Sequence, residues 1–315
     1  MHFDKLQKKN FFRWRVSRRD VLVGLLLLVL SCPAAAEEKP QKTPVQGQPF
    51  VANLHLPAGK GPFPGVLLVG GSGGGIGWQD YMGEILAEKG FASLALAYFG
   101  MEGLPESLEL IPIEYFQKGL DYLAAHEAVD AKRIGVIGVS KGGEVALLLA
   151  SYDPRVRAVV AFAPSAVVFQ SIAKGFPRTS SWTYKGKPLS FVPYVQMQSG
   201  ETLADMYRRS LDQKDEVAEA AIPVENINGP ILLISGKADT LWPSTYLGEM
   251  VMERLRAHAF PHRNQHVAYE DAGHLISSIR SDATRRGGTQ EGNARAQRDG
   301  QLQTIDFLQK HLASR

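Results

Sequence analysis

The stretch Arg133-Ile134-Gly135-Val136-Ile137-Gly138-Val139-Ser140-Lys141-Gly142-Gly143-Glu144-Val145-Ala146-Leu147-Leu148-Leu149-Ala150 changes character halfway along. Its first part is an apolar, β-branched run suited to a strand buried on both faces, and its second part is made of good helix formers. Between them Gly138-Val139-Ser140-Lys141-Gly142 must turn the chain sharply, with a serine at the apex. A buried strand that passes directly into a helix belongs to a sheet whose strands are joined by helical crossovers. That single feature excludes all-helical and all-β architectures.

The rest of the chain repeats the alternation. Phe50–Leu56, Gly65–Gly70, Phe91–Tyr98, Arg133–Val139, Val156–Phe162, Pro230–Ser235 and His266–Tyr269 read as strands. Trp78–Lys89, Ile113–His126, Ser140–Ala150, Ser244–His258 and Ala296–His311 read as helices between and after them. The fold class expected is α/β: a mostly parallel, doubly wound sheet with helices on both faces. Chemistry in such a sheet gathers at the carboxyl ends of the strands. Residues 165–228 break the rhythm just before the strand at 230–235, and are expected to form an insertion over the site or a plain surface excursion.

Charge separates the N-terminus from the remainder. Of 35 Lys/Arg and 32 Asp/Glu, seven and two fall in residues 1–36, which leaves 28 basic and 30 acidic side chains in a nearly neutral body. That balance carries no electrostatic footprint for nucleic acid. Residues 1–36 combine a basic region, an apolar run from Val21 to Leu30 too short to span a bilayer, and Ala34-Ala35-Ala36 as a cleavage site, the pattern of a signal peptide. Ser17-Arg18-Arg19-Asp20-Val21-Leu22 resembles a twin-arginine export signal, so the expected location is periplasmic. Cys32, the only cysteine, follows an imperfect lipobox (Val29-Leu30-Ser31), and a lipid anchor there is the alternative to cleavage after Ala36. Residues 37–48 are polar and proline-containing, a linker by composition, and 49–315 are expected to form the catalytic domain.

Serine between two glycines at a strand-to-helix turn matches the nucleophile elbow, with a helix N-cap as the bland reading of Ser140. A nucleophilic serine needs a base and an acid, here in the chain order Ser, Asp/Glu, His. His274 follows the last strand in Gly273-His274-Leu275 and is the candidate base. Asp239 ends a buried strand and its short glycine turn, and is the candidate acid; Asp271, three residues from His274, is the rival and suits a loop or cap role better. Gly70-Gly71-Ser72-Gly73-Gly74-Gly75 follows a strand where one oxyanion donor is expected, so the backbone N–H groups near Gly71 and Ser72, with that of Lys141, are the candidate oxyanion site. No metal and no cofactor are required by this chemistry.

Phe169, Phe176, Trp182, Tyr184, Phe191 and Tyr194 lie in the excursion, interleaved with Lys174, Arg178, Lys185 and Lys187. These rings either wall an acyl pocket, with Trp182, Tyr184 and the neighbouring Trp242 as substrate-binding residues, or only pack the excursion onto the sheet.

Several motifs together resemble the acyl-CoA thioesterase and bile acid-CoA:amino acid N-acyltransferase family in its C-terminal catalytic domain. They are Ser72-Gly73-Gly74-Gly75, Lys89-Gly90-Phe91-Ala92, Ser140-Lys141-Gly142-Gly143-Glu144, Tyr184-Lys185-Gly186, Ile222-Pro223-Val224-Glu225, Asp239 with Trp242 and Ser244, Gly273-His274 and Gln301-Leu302-Gln303-Thr304. The resemblance covers residues 60–313 and implies an α/β-hydrolase fold with Ser140, Asp239 and His274 as its triad. It also implies hydrolysis of acyl thioesters or carboxylic esters, in the chemistry of fatty acid metabolism. Family members that conjugate amino acids use cysteine as nucleophile, so serine here favours hydrolysis over acyl transfer. Animal members carry a β-sandwich domain before the hydrolase domain, where this sequence offers only residues 37–48. A dienelactone-hydrolase-like carboxylesterase is the neighbouring alternative, and a non-catalytic envelope binding protein on the same scaffold is the alternative from another class.

Overall fold

The computed structural model describes residues 39–277 and 284–313; the segment expected to be a signal peptide, with its twin-arginine-like stretch and Cys32, lies outside them. In chain order the elements are β1 (Gln41–Pro44), β2 (Val51–Leu56), β3 (Phe63–Val69), α1 (Gly77–Glu88), β4 (Ala92–Ala97), β5 (Ile111–Pro112), α2 (Ile113–Ala125), β6 (Val129–Val139), α3 (Lys141–Tyr152), β7 (Val156–Phe162), β8 (Trp182–Tyr184), β9 (Lys187–Pro188), α4 (Leu203–Ser210), α5 (Lys214–Glu219), β10 (Ile231–Gly236), α6 (Ser244–Ala257), β11 (Asn264–Tyr269) and α7 (Gln290–Leu308). Eight strands make one sheet in the order β1-β2-β4-β3-β6-β7-β10-β11. Only β2 runs against its neighbours; from β4 to β11 every pairing is parallel. Three short strands, β5, β8 and β9, form a second small sheet in which the excursion pairs with the chain just before α2.

Strand alternation builds two cores. Leu67, Val69, Val136, Val159, Ala161, Ile231 and Leu233 point to the face covered by α2, α3 and α6. Val66, Leu68, Ile137, Val160, Phe162, Leu232 and Ile234 point to the other face, against Met82 and Leu86 of α1 and Ala296, Phe307 and Leu308 of α7. Period-two alternation with both sets apolar is what makes these strands read as continuous hydrophobic runs.

The linker expected over residues 37–48 is corrected in part. Gln41–Pro44 pairs with Asn53–Leu56 as an edge strand. Its four residues are all exposed, so it carries no apolar face from which periodicity could announce it. Side chains fasten this edge to α1: Lys42 Nζ lies 2.7 Å, Asn53 Nδ2 2.9 Å and His55 Nε2 2.9 Å from the Asp80 carboxylate. Burial pushes the Asp80 pKa up, but the hydrogen bonds from Lys42, Asn53 and His55 more than offset it and hold the carboxyl below its usual range. A folded-state value below the unfolded one contributes stability that is complete above the unfolded value and is lost as pH falls through the folded one. Asp80→Asn is therefore expected to lower stability at neutral pH by about 1–3 kcal/mol. The difference from the parent should shrink once pH drops below about 4. Urea unfolding at pH 7 and pH 3 checks this, and a difference independent of pH would refute it.

Candidate active site

Ser140 sits between β6 and α3 with φ 57° and ψ −121°, a backbone conformation that L residues rarely occupy. The turn is held by Ser140 N–H donating to Phe162 O (2.8 Å) and Glu144 N–H donating to Ser140 O (2.9 Å). Both glycines are obligatory on steric grounds. A Cβ on Gly138 would run into the carbonyl oxygen of Gly142, and one on Gly142 would run into those of Val69 and Gly70. Ser140 occupies the N-cap position yet its side chain makes no capping hydrogen bond. The hydroxyl is left at the floor of a cavity at the carboxyl end of the sheet.

Asp239 follows β10 and is almost wholly buried. Its Oδ1 accepts the N–H groups of Leu241 and Trp242, each at 2.9 Å, and its Oδ2 accepts Ser244 Oγ at 2.8 Å. These donors fix the carboxylate's rotation, and Oδ2 also meets His274 Nδ1 at 2.8 Å. A ring nitrogen facing a carboxylate carries the proton, which leaves Nε2 unprotonated in the neutral imidazole and fit to act as a base. The rival Asp271 is exposed, with its carboxylate 3.5 Å from Arg295.

The loops bearing Asp239 and His274 are tied together by a segment that sequence reasoning missed. Arg286 O accepts the N–H of both His274 (3.0 Å) and Thr240 (3.3 Å), and Asn293 Oδ1 accepts Gly273 N–H (2.7 Å). Gly287 has φ 88°, and a Cβ there would enter the carbonyl oxygen of Ala238. The available signal was Gly287-Gly288-Thr289, two adjacent glycines before a threonine whose Oγ1 caps α7 by accepting Gly292 N–H at 2.9 Å.

The loop at Gly70–Gly75 packs on the elbow: a Cβ on Gly71 would lie 3.2 Å from that of Ser140. Tyr98 donates to Gly70 O (2.8 Å) and Gln79 Nε2 to Gly75 O (3.0 Å), fixing the loop from both ends. Ser72 lines the cavity beside Ser140, and Lys141, as the first residue of α3, has an N–H without an intrahelical acceptor.

The cavity has a volume of about 570 Å³. Residues of the excursion make most of its wall, among them Ile172, Phe176, Tyr194, Met206 and Tyr207, with Trp242 completing it. Trp242 is held by its Nε1 donating to Pro164 O (2.9 Å) and by edge contact with Phe169, ring centroids 5.1 Å apart. Burial pushes the Tyr207 phenol up to about 12 and that of Tyr194 higher, so both hydroxyls stay neutral. Two expected substrate-binding residues are displaced from this role. Trp182 is fully buried and donates from Nε1 to Glu144 Oε1 at 2.7 Å, and Tyr184 stacks on Tyr152 with ring centroids 4.5 Å apart; neither lines the cavity. Aromatic composition indicates that rings will be buried, not what they will face.

A second Ser–His contact, Ser235 Oγ to His266 Nε2 at 2.7 Å, is of a different kind. Ser235 is fully buried, also meets Thr245 Oγ1 at 2.9 Å, and does not line the cavity. Burial lowers the His266 pKa, and its ring fills the space left by the absent side chain of Gly248.

Solved structures similar to this one include a putative dienelactone hydrolase from Klebsiella pneumoniae (TM-score 0.55, 20% identity, covering 85% of this chain and 97% of that one) and DcsB in complex with its substrate analogue (TM-score 0.57, 15% identity, 88% and 100%). The architecture is the α/β-hydrolase fold. Residues 111–314 match the family model described as BAAT / Acyl-CoA thioester hydrolase C terminal, and residues 39–175 match one described as Esterase FrsA-like. Human acyl-coenzyme A thioesterase 6 is 31% identical over 284 residues, and mouse peroxisomal succinyl-coenzyme A thioesterase 32% identical over 297. The alignments cover 86% and 87% of this chain but 66% of each relative's length. Mouse mitochondrial acyl-coenzyme A thioesterase 2 is 31% identical over 335 residues, 96% of this chain and 71% of the relative. The chain belongs to the BAAT/acyl-CoA thioester hydrolase family, represented here by its C-terminal domain.

Proposed function

We propose that this protein hydrolyses apolar acyl thioesters through an acyl-enzyme on Ser140. The observation that carries the reading is Ser140 itself: a strained serine with no capping bond, on the floor of an apolar cavity, at the same end of the sheet as a carboxylate-bound histidine. His274 Nε2 takes the proton as Ser140 Oγ attacks the acyl carbonyl. Asp239 holds the imidazole and stabilises its charged form. The oxyanion is received by backbone N–H groups of Gly71 or Ser72 and of Lys141. The tetrahedral intermediate collapses with release of the leaving group, protonated through His274, and water then repeats the sequence to free the acid. The names of the relatives support a thioester over an oxygen ester. The charge and apolar pattern of residues 1–36 supports an exported, periplasmic enzyme, for which thioesters other than those of coenzyme A become relevant.

In this reading the acyl chain occupies the cavity. Each methylene taken from water contributes about 0.8 kcal/mol, so kcat/KM should rise by up to about fourfold per methylene until the cavity is filled. Ile172→Trp, which places an indole in the cavity wall, is expected to flatten that dependence while leaving acetyl substrates nearly unchanged. A panel of acyl thioesters and nitrophenyl esters of graded length measures both effects. Equal rates at all lengths in the parent enzyme would remove the acyl-pocket assignment, and turnover of esters alone would replace thioesterase by carboxylesterase.

A further inference from the structure

A charged pair lies in the core one residue from the nucleophile. Lys141 Nζ is 2.6 Å from Glu144 Oε1, and both side chains are fully buried. Trp182, brought by the excursion, donates its indole N–H to the same carboxylate oxygen at 2.7 Å. Lys141 Nζ also reaches Phe169 O at 3.4 Å and lies 5.5 Å from the centre of the Trp182 ring. Burial pushes the Lys141 ammonium down and the Glu144 carboxyl up, each opposed by the other group. Apolar side chains of similar volume in place of such a buried pair often hold a core as well or better, because removing two charges from water costs several kcal/mol each. Stability alone does not account for the pair.

Its connections suggest what does. Glu144 N–H donates to Ser140 O, so one residue grips the turn through its backbone and the Lys141 side chain through its carboxylate. On the opposite side the Trp182 ring packs against Tyr98, ring centroids 5.8 Å apart, and Tyr98 O–H holds the carbonyl of Gly70. Burial, reinforced by the nearby Glu144 charge, raises the Tyr98 pKa and keeps that phenol a donor. One indole thus touches both walls of the proposed oxyanion site: through Glu144 the wall at Lys141, through Tyr98 the wall at Gly70–Ser72.

We infer that Lys141, Glu144 and Trp182 form a positioning network that sets the separation of the two oxyanion donors and makes it depend on docking of the excursion. The inference rests on the proposed role of Ser140. The first test is the paired variant Lys141→Met/Glu144→Gln, which removes both charges and keeps an acceptor for the Trp182 N–H. The second is Trp182→Phe, which removes that N–H together with part of the ring volume packed against Tyr98 and Phe116. Misplacement of a catalytic group by about 1 Å can cost on the order of 10²-fold. Accordingly kcat on a short acyl ester and the rate of fluorophosphonate labelling should fall by about 10- to 100-fold in the paired variant and less in Trp182→Phe. KM for the short ester should stay close to the parent value in both variants and the melting temperature close to it in the paired variant, while the loss of kcat in Trp182→Phe should exceed what its smaller buried ring and lower melting temperature explain. Unchanged kcat and labelling in folded variants would overturn the inference, as would a fall in kcat that merely tracks a fall in melting temperature. If the paired variant does not fold, Trp182→Phe decides alone by the same split. An unlabelled parent enzyme would instead overturn the role of Ser140 and take this inference with it, so the two failures are distinguishable.

Discussion

Ser140→Ala is expected to lower kcat for any turned-over acyl substrate by at least about 10⁴-fold without loss of fold. Asp239→Asn and His274→Ala should do comparable damage. Combining any two should add little, because in the proposed mechanism the three groups act as one unit. The asparagine variant is the most informative of these. Its oxygen can still accept the N–H groups of Leu241 and Trp242, but an amide N–H aimed at Nδ1 would force the proton onto Nε2 and disable the base. Ser140→Gly carries a second expectation. Glycine tolerates φ 57°, so the variant should be inactive yet more stable than the parent by about 1 kcal/mol, revealing strain stored at the elbow. Activity retained in Ser140→Ala would remove the assignment outright.

Gly142→Ala should be nearly as destructive by a different route. The added methyl group would meet the carbonyl oxygens of Val69 and Gly70, both backbone atoms at the end of β3, with no flexible side chain to move aside. Overpacking of this kind costs about 1–3 kcal/mol, and here the strand end that must yield leads directly into the Gly70–Gly75 loop. Stability and kcat should therefore fall together, with the loss in kcat larger than incomplete folding explains. Gly73→Ala serves as control, since a Cβ there meets nothing within 4 Å. Urea unfolding and kcat on the same preparations distinguish the outcomes; a stable, active Gly142→Ala would mean that the close packing at the elbow is not required.

The parts legible in the sequence were those with strong periodicity or a fixed chemical order. Strands β3, β4, β7, β10 and the second half of β6 are buried apolar runs bounded by turns, so their carboxyl ends, and with them the positions of Ser140 and Asp239, followed from local pattern. The first half of β6, with Asp130, Lys132 and Arg133, has no such run, and the strand begins at Val129 rather than at the expected Arg133. Loop position picked His274 out of eight histidines as the candidate base, and in the structure its Nδ1 meets Asp239 Oδ2. Elements without an apolar face were not legible: β1 is wholly exposed, and β5, β8 and β9 are two or three residues long. Sequence alone leaves the two readings of Trp182 and Tyr184 undecided because their partners, Glu144 and Tyr152, belong to a helix more than thirty residues earlier in the chain. The clamp at Arg286–Asn293 was missed for the same reason, since its meaning depends on two loops that it meets only in the folded protein.

That clamp also bears on how the site can open. Asp239 and His274 leave the sheet from different strands, yet their loops share one acceptor, Arg286 O, and His274's neighbour is held by a side chain on the first turn of α7. Cooperative units of local unfolding follow such shared bonds rather than strand boundaries. Asp239 and His274 should thus detach in a single event, together with the start of α7, while Ser140 is held separately by its turn's bonds to Phe162 and Glu144. The lifetime of the competent site is then set by how firmly the last helix is seated, and a residue far from any substrate on that helix can govern how much of the population is ready to react.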